Sequence, residues 1–232
     1  MYHSLKKLFS LLAVGLISLS AMPVNAGGIA LGSTRIIYPI EKKQVSLSLT
    51  NSDDKKRFLI QSWVENLDGT KNKDFILTPP LFVSKPLSEN TLRIMYSGAD
   101  IPADREQAYW LNSKAIPAVS SEAIEDKNVL QIAIQSRIKL FLRPETLPYP
   151  AIDAPGKLTF HNKNQSIVVN NPSPYYITLI NVKAGEENLN SLMIPPMVET
   201  LLPLKNHTVS ALSFQTINDY GANTDVINVQ VK

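Results

Sequence analysis

Apolar and polar residues alternate in short runs along this chain: Val45-Ser-Leu-Ser-Leu-Thr50, Phe58-Leu-Ile-Gln-Ser-Trp-Val64, Leu92-Arg-Ile-Met-Tyr96 and Tyr109-Trp-Leu-Asn112. A period of two sends successive side chains to opposite faces, so each run predicts a half-buried strand. Turn chemistry separates them: Asn51-Ser-Asp-Asp54, Asp68-Gly69, Ser97-Gly98 and the Pro79-Pro80 pair. No long helical period intervenes, and strands of this length and spacing predict β-sandwiches. Trp63 is assigned to a core and Pro79-Pro80 to a turn.

The run Val129-Leu-Gln-Ile-Ala-Ile-Gln-Ser-Arg-Ile-Lys-Leu-Phe-Leu-Arg143 is the most informative. Leu130, Ile132 and Ile134 share one face of an extended strand. Gln131, Ala133 and Gln135 occupy the other, and the cations Arg137 and Lys139 follow. Two readings stand. The strand is buried in its own sheet, or it is an edge that donates alternate side chains to a partner's groove. The residues alone leave both open.

Arg143-Pro-Glu-Thr-Leu-Pro-Tyr-Pro150 then places three prolines within seven residues, where a ladder must stop because proline has no N–H to donate. A second strand set follows in Lys157–Phe160, Ser166–Asn170, Tyr176–Val182 and Val226–Val231. The expectation is an all-β chain of two sandwich domains joined by a short, stiff linker.

The N-terminus reads as a secretory signal over residues 1–26: Lys6 and Lys7, an apolar run from Leu8 to about Leu19, then Val24-Asn25-Ala26. A retained membrane anchor is the weaker alternative, because Ser10, Ser18 and Ser20 interrupt a run already short of the roughly 18 apolar residues a span needs. Loss of Lys6 and Lys7 leaves 21 basic residues against 20 acidic ones, which gives no electrostatic case for nucleic-acid binding. The expected product is soluble, extracytoplasmic and not membrane-embedded. It has no cysteine, so stability rests on the cores, and thiol catalysis and thiolate metal sites are excluded.

Other chemistry is sparse. His3 leaves with the signal, and His161 and His207 stand alone in polar contexts. There is no Gly-x-Ser-x-Gly elbow, no Gly-x-x-x-x-Gly-Lys loop and no dinucleotide fingerprint. Asn164-Gln-Ser166 and Asn206-His-Thr208 match the glycosylation triplet, a pattern common by chance. An enzyme is not expected, and neither a cofactor nor a metal is called for.

Several stretches are more specific. Gly28-Ile-Ala-Leu-Gly-Ser-Thr-Arg-Ile-Ile-Tyr-Pro39, Phe82 onward to Asn90-Thr-Leu-Arg93, Asp104-Arg-Glu106 before Tyr109-Trp110, and Arg137-Ile-Lys-Leu-Phe-Leu-Arg-Pro144 resemble the periplasmic pilus chaperones. So do Asn171-Pro-Ser-Pro-Tyr-Tyr176, Ile194-Pro-Pro-Met197 and Ile217-Asn-Asp-Tyr-Gly221. The resemblance covers essentially the whole mature chain and looks closest to the chaperones of type 1 and S-type fimbriae. It implies two immunoglobulin-like β-sandwich domains in an L-shaped arrangement, spanning 27–146 and 147–232.

It also implies roles. Arg35 and Lys139 match the paired cleft cations that bind the C-terminal carboxylate of a pilus subunit. Leu130, Ile132 and Ile134 match the alternating residues donated to a subunit that lacks its last strand. Glu106, Arg143 and Asp219 match an ion network near the domain junction that binds no ligand. The polar connection Ala118–Lys127 is of the short form that goes with rod-like, adhesin-tipped pili. The implied partners are fimbrial pilin or adhesin subunits and an outer-membrane usher, in the periplasm, with self-capping of the apolar strand by a second copy when no subunit is bound. An exported structural fimbrial subunit or adhesin is the alternative function. Against it stand the missing cysteines and a donor-like face that lies mid-chain. A secreted hydrolase on a sandwich scaffold is a third class, and no motif supports it.

Overall fold

The computed structural model describes residues 27–118, 130–205 and 209–232. The expected signal segment, the polar connection apart from Ala118, and the Asn206-His-Thr208 triplet lie outside the described residues.

Short alternating runs became short strands. The first unit contains β1 (Ile29–Leu31), β2 (Arg35–Pro39), β3 (Val45–Asn51), β4 (Phe58–Glu65), β5 (Phe75–Thr78), β6 (Leu81–Ser84), β7 (Ser88–Tyr96), β8 (Gln107–Pro117) and β9 (Ile134–Arg143). The second contains β10 (Thr159–Lys163), β11 (Ser166–Asn171), β12 (Ile177–Ala184), β13 (Glu187–Leu189), β14 (Leu192–Ile194), β15 (Val198–Pro203), β16 (Ala211–Thr216) and β17 (Ile227–Gln230). Two single-turn 3-10 helices, Ala151–Asp153 and Pro155–Lys157, connect the units. Among the described residues no helix is long and apolar enough to cross a membrane.

The first sandwich faces the sheet β1-β3-β7-β5 against the sheet β2-β9-β8-β4-β6, and the second faces β10-β11-β15 against β13-β12-β16-β17 with β14 alongside β12. Each unit has its own core. Leu47, Leu92, Ile94, Leu111, Leu140 and Leu142 fill the first, while Ile167, Leu179, Ile194, Leu212 and Phe214 belong to the second. At roughly 1.5–3 kcal/mol of transfer for each large aliphatic buried, such cores can hold a chain without disulfides.

Two expectations are corrected. Trp63 is not a core residue: Ile60, Ser62 and Val64 point inward, so the alternation of β4 turns Trp63 outward, where its Nε1 donates to Glu65 Oε1 at 2.7 Å. The long run from Val129 is a strand only from Ile134, and Leu130 and Ile132 precede it. The last ladder pair of β8 and β9 joins Ala115 to Ile134. Among the described residues no neighbouring strand supplies a ladder beyond that pair, and the Gln131 amide returns to the hairpin, donating to the Pro117 carbonyl at 2.6 Å.

Candidate functional site

Strand pairing brings the two predicted cations together. β2 and β9 run parallel with Arg35 opposite Lys139, and β8 places Trp110 on the other side of Lys139. Glu65 of β4 pairs with Trp110 in turn. Residues directly opposite share a face, so Arg35, Lys139, Trp110 and Glu65 form one row across the outer face of the sheet.

At one end that face is covered by the second unit. Phe141 is buried, with its ring centroid 6.0 Å from that of Tyr176. Glu106 N donates to the Pro174 carbonyl at 3.0 Å, and the Arg35 guanidinium donates through Nη1 to the Ile217 carbonyl at 3.1 Å. A cavity of about 120 Å³ lies here, and its walls include Arg35, Phe141, Arg143, Tyr176 and Asp219.

The motif loops of the second unit are built to make these contacts. Buried Asn171 accepts from the Ser173 N–H and hydroxyl through Oδ1, and donates through Nδ2 to the carbonyls of Tyr175 and Pro195. That web fixes the turn that delivers Pro174 and Tyr176 to Glu106. In the second loop, Asn218 Oδ1 accepts from the N–H groups of Tyr220 and Ala222. Gly221 has φ +83°, and a Cβ there would run into the Thr34 hydroxyl, so only glycine lets this loop close down beside Arg35.

Glu106, Arg143 and Asp219 form one network. Arg143 Nε donates to Glu106 Oε2 at 2.8 Å, and its Nη1 and Nη2 donate to the two Asp219 oxygens at 2.7 and 2.9 Å. The other Glu106 oxygen accepts from Tyr176 N–H at 2.6 Å. Burial pushes the Glu106 carboxyl above its ordinary range, against the opposing pull of Arg143 and the Tyr176 N–H. Burial also opposes the Arg143 charge, but its bonds to Asp219 and the attraction of Glu106 more than offset that and raise its pKa. All three carboxylate and guanidinium groups are thereby committed to one another.

The two cleft cations are not committed in this way. Arg35 has a buried Nε without a hydrogen-bond partner, and among the described residues neither Arg35 nor Lys139 makes an ion pair. Burial lowers the pKa of Arg35, partly countered by Asp219 and Glu106. Burial, with Arg137 and Arg35 nearby, lowers Lys139 to about 8. Two positive groups held in a partly desolvated cleft favour an anion, and a carboxylate there would accept charge-assisted bonds from both.

The three residues expected as donors lie before these cations in the chain. Ile138, Leu140 and Leu142 of β9 face the first core, and by the same parity Ile134 continues their row beyond the sandwich. Leu130, Ile132 and Ile134 are 84%, 66% and 66% exposed, so the structure does not bury them in their own domain. β2 begins at Arg35, which leaves the β9 edge from Ser136 to Ile138 without a partner strand among the described residues. The alternative of a self-buried strand therefore fails for these three residues. Sequence reasoning missed Trp110 as a neighbour of Lys139, because the pair exists only through the β8–β9 register.

Comparison with known proteins agrees with this architecture. The model described as "Pili and flagellar-assembly chaperone, PapD N-terminal domain" matches residues 28–148, and "Pili assembly chaperone PapD, C-terminal domain" matches 153–227. The chain is 50% identical over 213 residues to the "Probable fimbrial chaperone SfmC" of Escherichia coli (strain K12), covering 92% of this chain and 93% of that one. The crystal structure of the periplasmic chaperone SfaE superposes with a TM-score of 0.76 at 45% identity, covering 87% of this chain and 98% of that one. The Salmonella enterica SafB chaperone, solved in complex with the SafA pilin, gives 0.79 at 27% identity, covering 90% and 98%. With both domain models matched in order and half the residues shared with a fimbrial chaperone along nearly its whole length, the chain belongs to the family of pilus-assembly chaperones.

Proposed function

We propose that the chain captures fimbrial subunits in the periplasm by lending them a strand. One observation carries this reading: exposed Leu130 and Ile132 lead into an open β9 edge that begins at exposed Ile134 and runs to two cations without an ion pair among the described residues. A subunit strand added to that edge must stop where β2 begins, so its C-terminal carboxylate falls between Arg35 and Lys139. Its upstream residues then run past Ile134, Ile132 and Leu130, parallel to β9. Because side chains alternate with period two, the anchored carboxylate sets the register, and a slip of one residue would turn the apolar face away. The same interaction mode lets main-chain bonds supply affinity while alternate side chains supply selectivity. The SafB–SafA complex supports it, as a pilin held by a chaperone of this fold.

The further steps belong to the same reading. Residues 1–26 direct export and are removed, the sandwiches divide at residues 146 and 147, and the loaded chaperone passes its subunit to an outer-membrane usher. Glu106, Arg143 and Asp219 hold the two sandwiches at the angle that shapes the cleft. Co-expression with a candidate fimbrial subunit, followed by mass spectrometry of what co-purifies, is expected to recover a one-to-one complex. Recovery of the chaperone alone, with every co-expressed subunit degraded, would overturn the reading.

Exposed apolar edges tend to pair. Subunit-free protein is therefore expected to self-associate through residues 130–134, with a weight-average mass that rises with concentration in sedimentation. Ile132→Asp is expected to return it to monomer. A constant monomer mass for the parent would count against this capping.

A further inference from the structure

Lys139 has no acidic partner among the described residues, yet its ammonium is not loose. Its Nζ lies 3.3 Å from the centroid of the Trp110 ring. The same ring carries the Arg137 guanidinium at 4.4 Å. Arg137 is in turn neutralised by Glu65, whose Oε2 accepts from it at 2.9 Å while Oε1 accepts from Trp63 Nε1. Trp110, Arg137, Glu65 and Trp63, all outside the predicted site, thus form one connected set that meets the lysine at the Trp110 ring.

We propose that Trp110 is a positioning residue for the carboxylate site, its indole face holding the Lys139 ammonium at the cleft without neutralising it. The proposal rests on the carboxylate reading above. An acidic partner would hold the lysine just as well, but it would have to be displaced by the incoming carboxylate. The face of an aromatic ring attracts a cation through its quadrupole and leaves the net charge in place. Arg137, although paired with Glu65, and Arg35 from β2 both bear on Lys139. Glu106 and Asp219, the nearest acids of the domain junction, are both engaged by Arg143. Among the described residues Trp110 is thus the group that favours the charged lysine against burial and two neighbouring cations.

The test is the titration of Lys139 in the full chain carrying ¹³C-labelled lysine, with the signal assigned by Lys139→Arg. Trp110→Leu is expected to lower the midpoint by about one pH unit, and Trp110→Phe, which keeps a smaller ring, by about half as much. A midpoint in Trp110→Leu equal to the parent's would overturn the proposal. Should that variant not fold, the phenylalanine variant decides alone, with a parental midpoint again overturning it. Acetate, a carboxylate without a peptide, is expected to raise the parent's midpoint. If acetate leaves Lys139 unmoved while the tryptophan variants shift it, the positioning role stands and the carboxylate reading falls.

Discussion

Alanine in place of Lys139 is expected to abolish recovery of subunits while leaving a folded, exported chaperone. Truncating one member of a buried, hydrogen-bonded charge pair costs about 2–5 kcal/mol, roughly 30-fold to several thousand-fold in affinity. Lys139 is the cleaner of the two positions. Arg35 also donates to the Ile217 carbonyl, so Arg35→Ala loses an interdomain bond along with the proposed carboxylate contact. Lys139 makes no ion pair among the described residues, and its loss relieves repulsion from Arg35 and Arg137. Subunit yield should therefore fall in both variants, with the melting transition of Lys139→Ala staying near the parent's. Normal subunit recovery from both would sink the cleft assignment.

The same lysine gives the interaction a pH limb. Its pKa in the free chain is lowered to about 8, so it is mostly charged at pH 7 and mostly neutral by pH 9. A bound carboxylate favours the ammonium and raises that value, so binding takes up a proton on the alkaline side. Affinity is expected to fall as pH rises through 8, with the fall absent from Lys139→Ala. A profile flat between pH 7 and 9 in the parent would contradict the role given to Lys139.

Much of the fold was legible, and the exceptions share a physical cause. β3, β4, β7 and β8 are long enough to display a period of two, and each overlaps an alternating run, while β11 and β12 overlap runs of the expected second strand set. β1, β13 and β14 are three residues each, too short for any period to appear. Trp63 was misplaced because β4 puts a small polar residue, Ser62, inside and a large aromatic outside, which inverts the usual phase. Hydropathy favours the wrong face there, and only the neighbouring strands settle it. The N-terminal end of the donor run was expected as strand because its pattern is strand-like, but pattern alone supplies no ladder. A strand needs a neighbour, and among the described residues this segment has none; under the proposed function its alternation answers to a subunit's groove.

The site was legible in a different way. Arg143 lies 37 residues from Glu106 and 76 from Asp219, so no local spacing joins them. Family resemblance identified these three and the Arg35–Lys139 pair. The structure adds that Glu106 and Asp219, the acids that bear on Arg35, are both engaged by Arg143, and that the Trp110 ring lies against the Lys139 ammonium.

That distribution of charge makes Arg143→Ala the substitution with the largest expected effect on stability. The guanidinium serves two carboxylates from different units and lies 4.9 Å over the Tyr175 ring. Its removal strands Glu106, whose side chain is only 1% exposed, beside an apolar wall with the Tyr176 N–H as its remaining partner. Removing one partner of a buried pair costs about 3–5 kcal/mol, because the other charge keeps its desolvation penalty. The stranded carboxyl is then expected to hold its proton to higher pH. Asp219 is 38% exposed and can recover hydration, so Asp219→Asn should cost much less, about 1 kcal/mol or below. The decisive variant is the double one. If the damage is a stranded charge, Arg143→Ala with Glu106→Ala is less destabilised than the two single losses summed, because the second change removes the orphan left by the first. Urea unfolding of the four proteins measures this directly. Strict additivity, or an Arg143→Ala variant within 1 kcal/mol of the parent, would mean that packing at Phe141 and Tyr176 joins the sandwiches and the ion network does not.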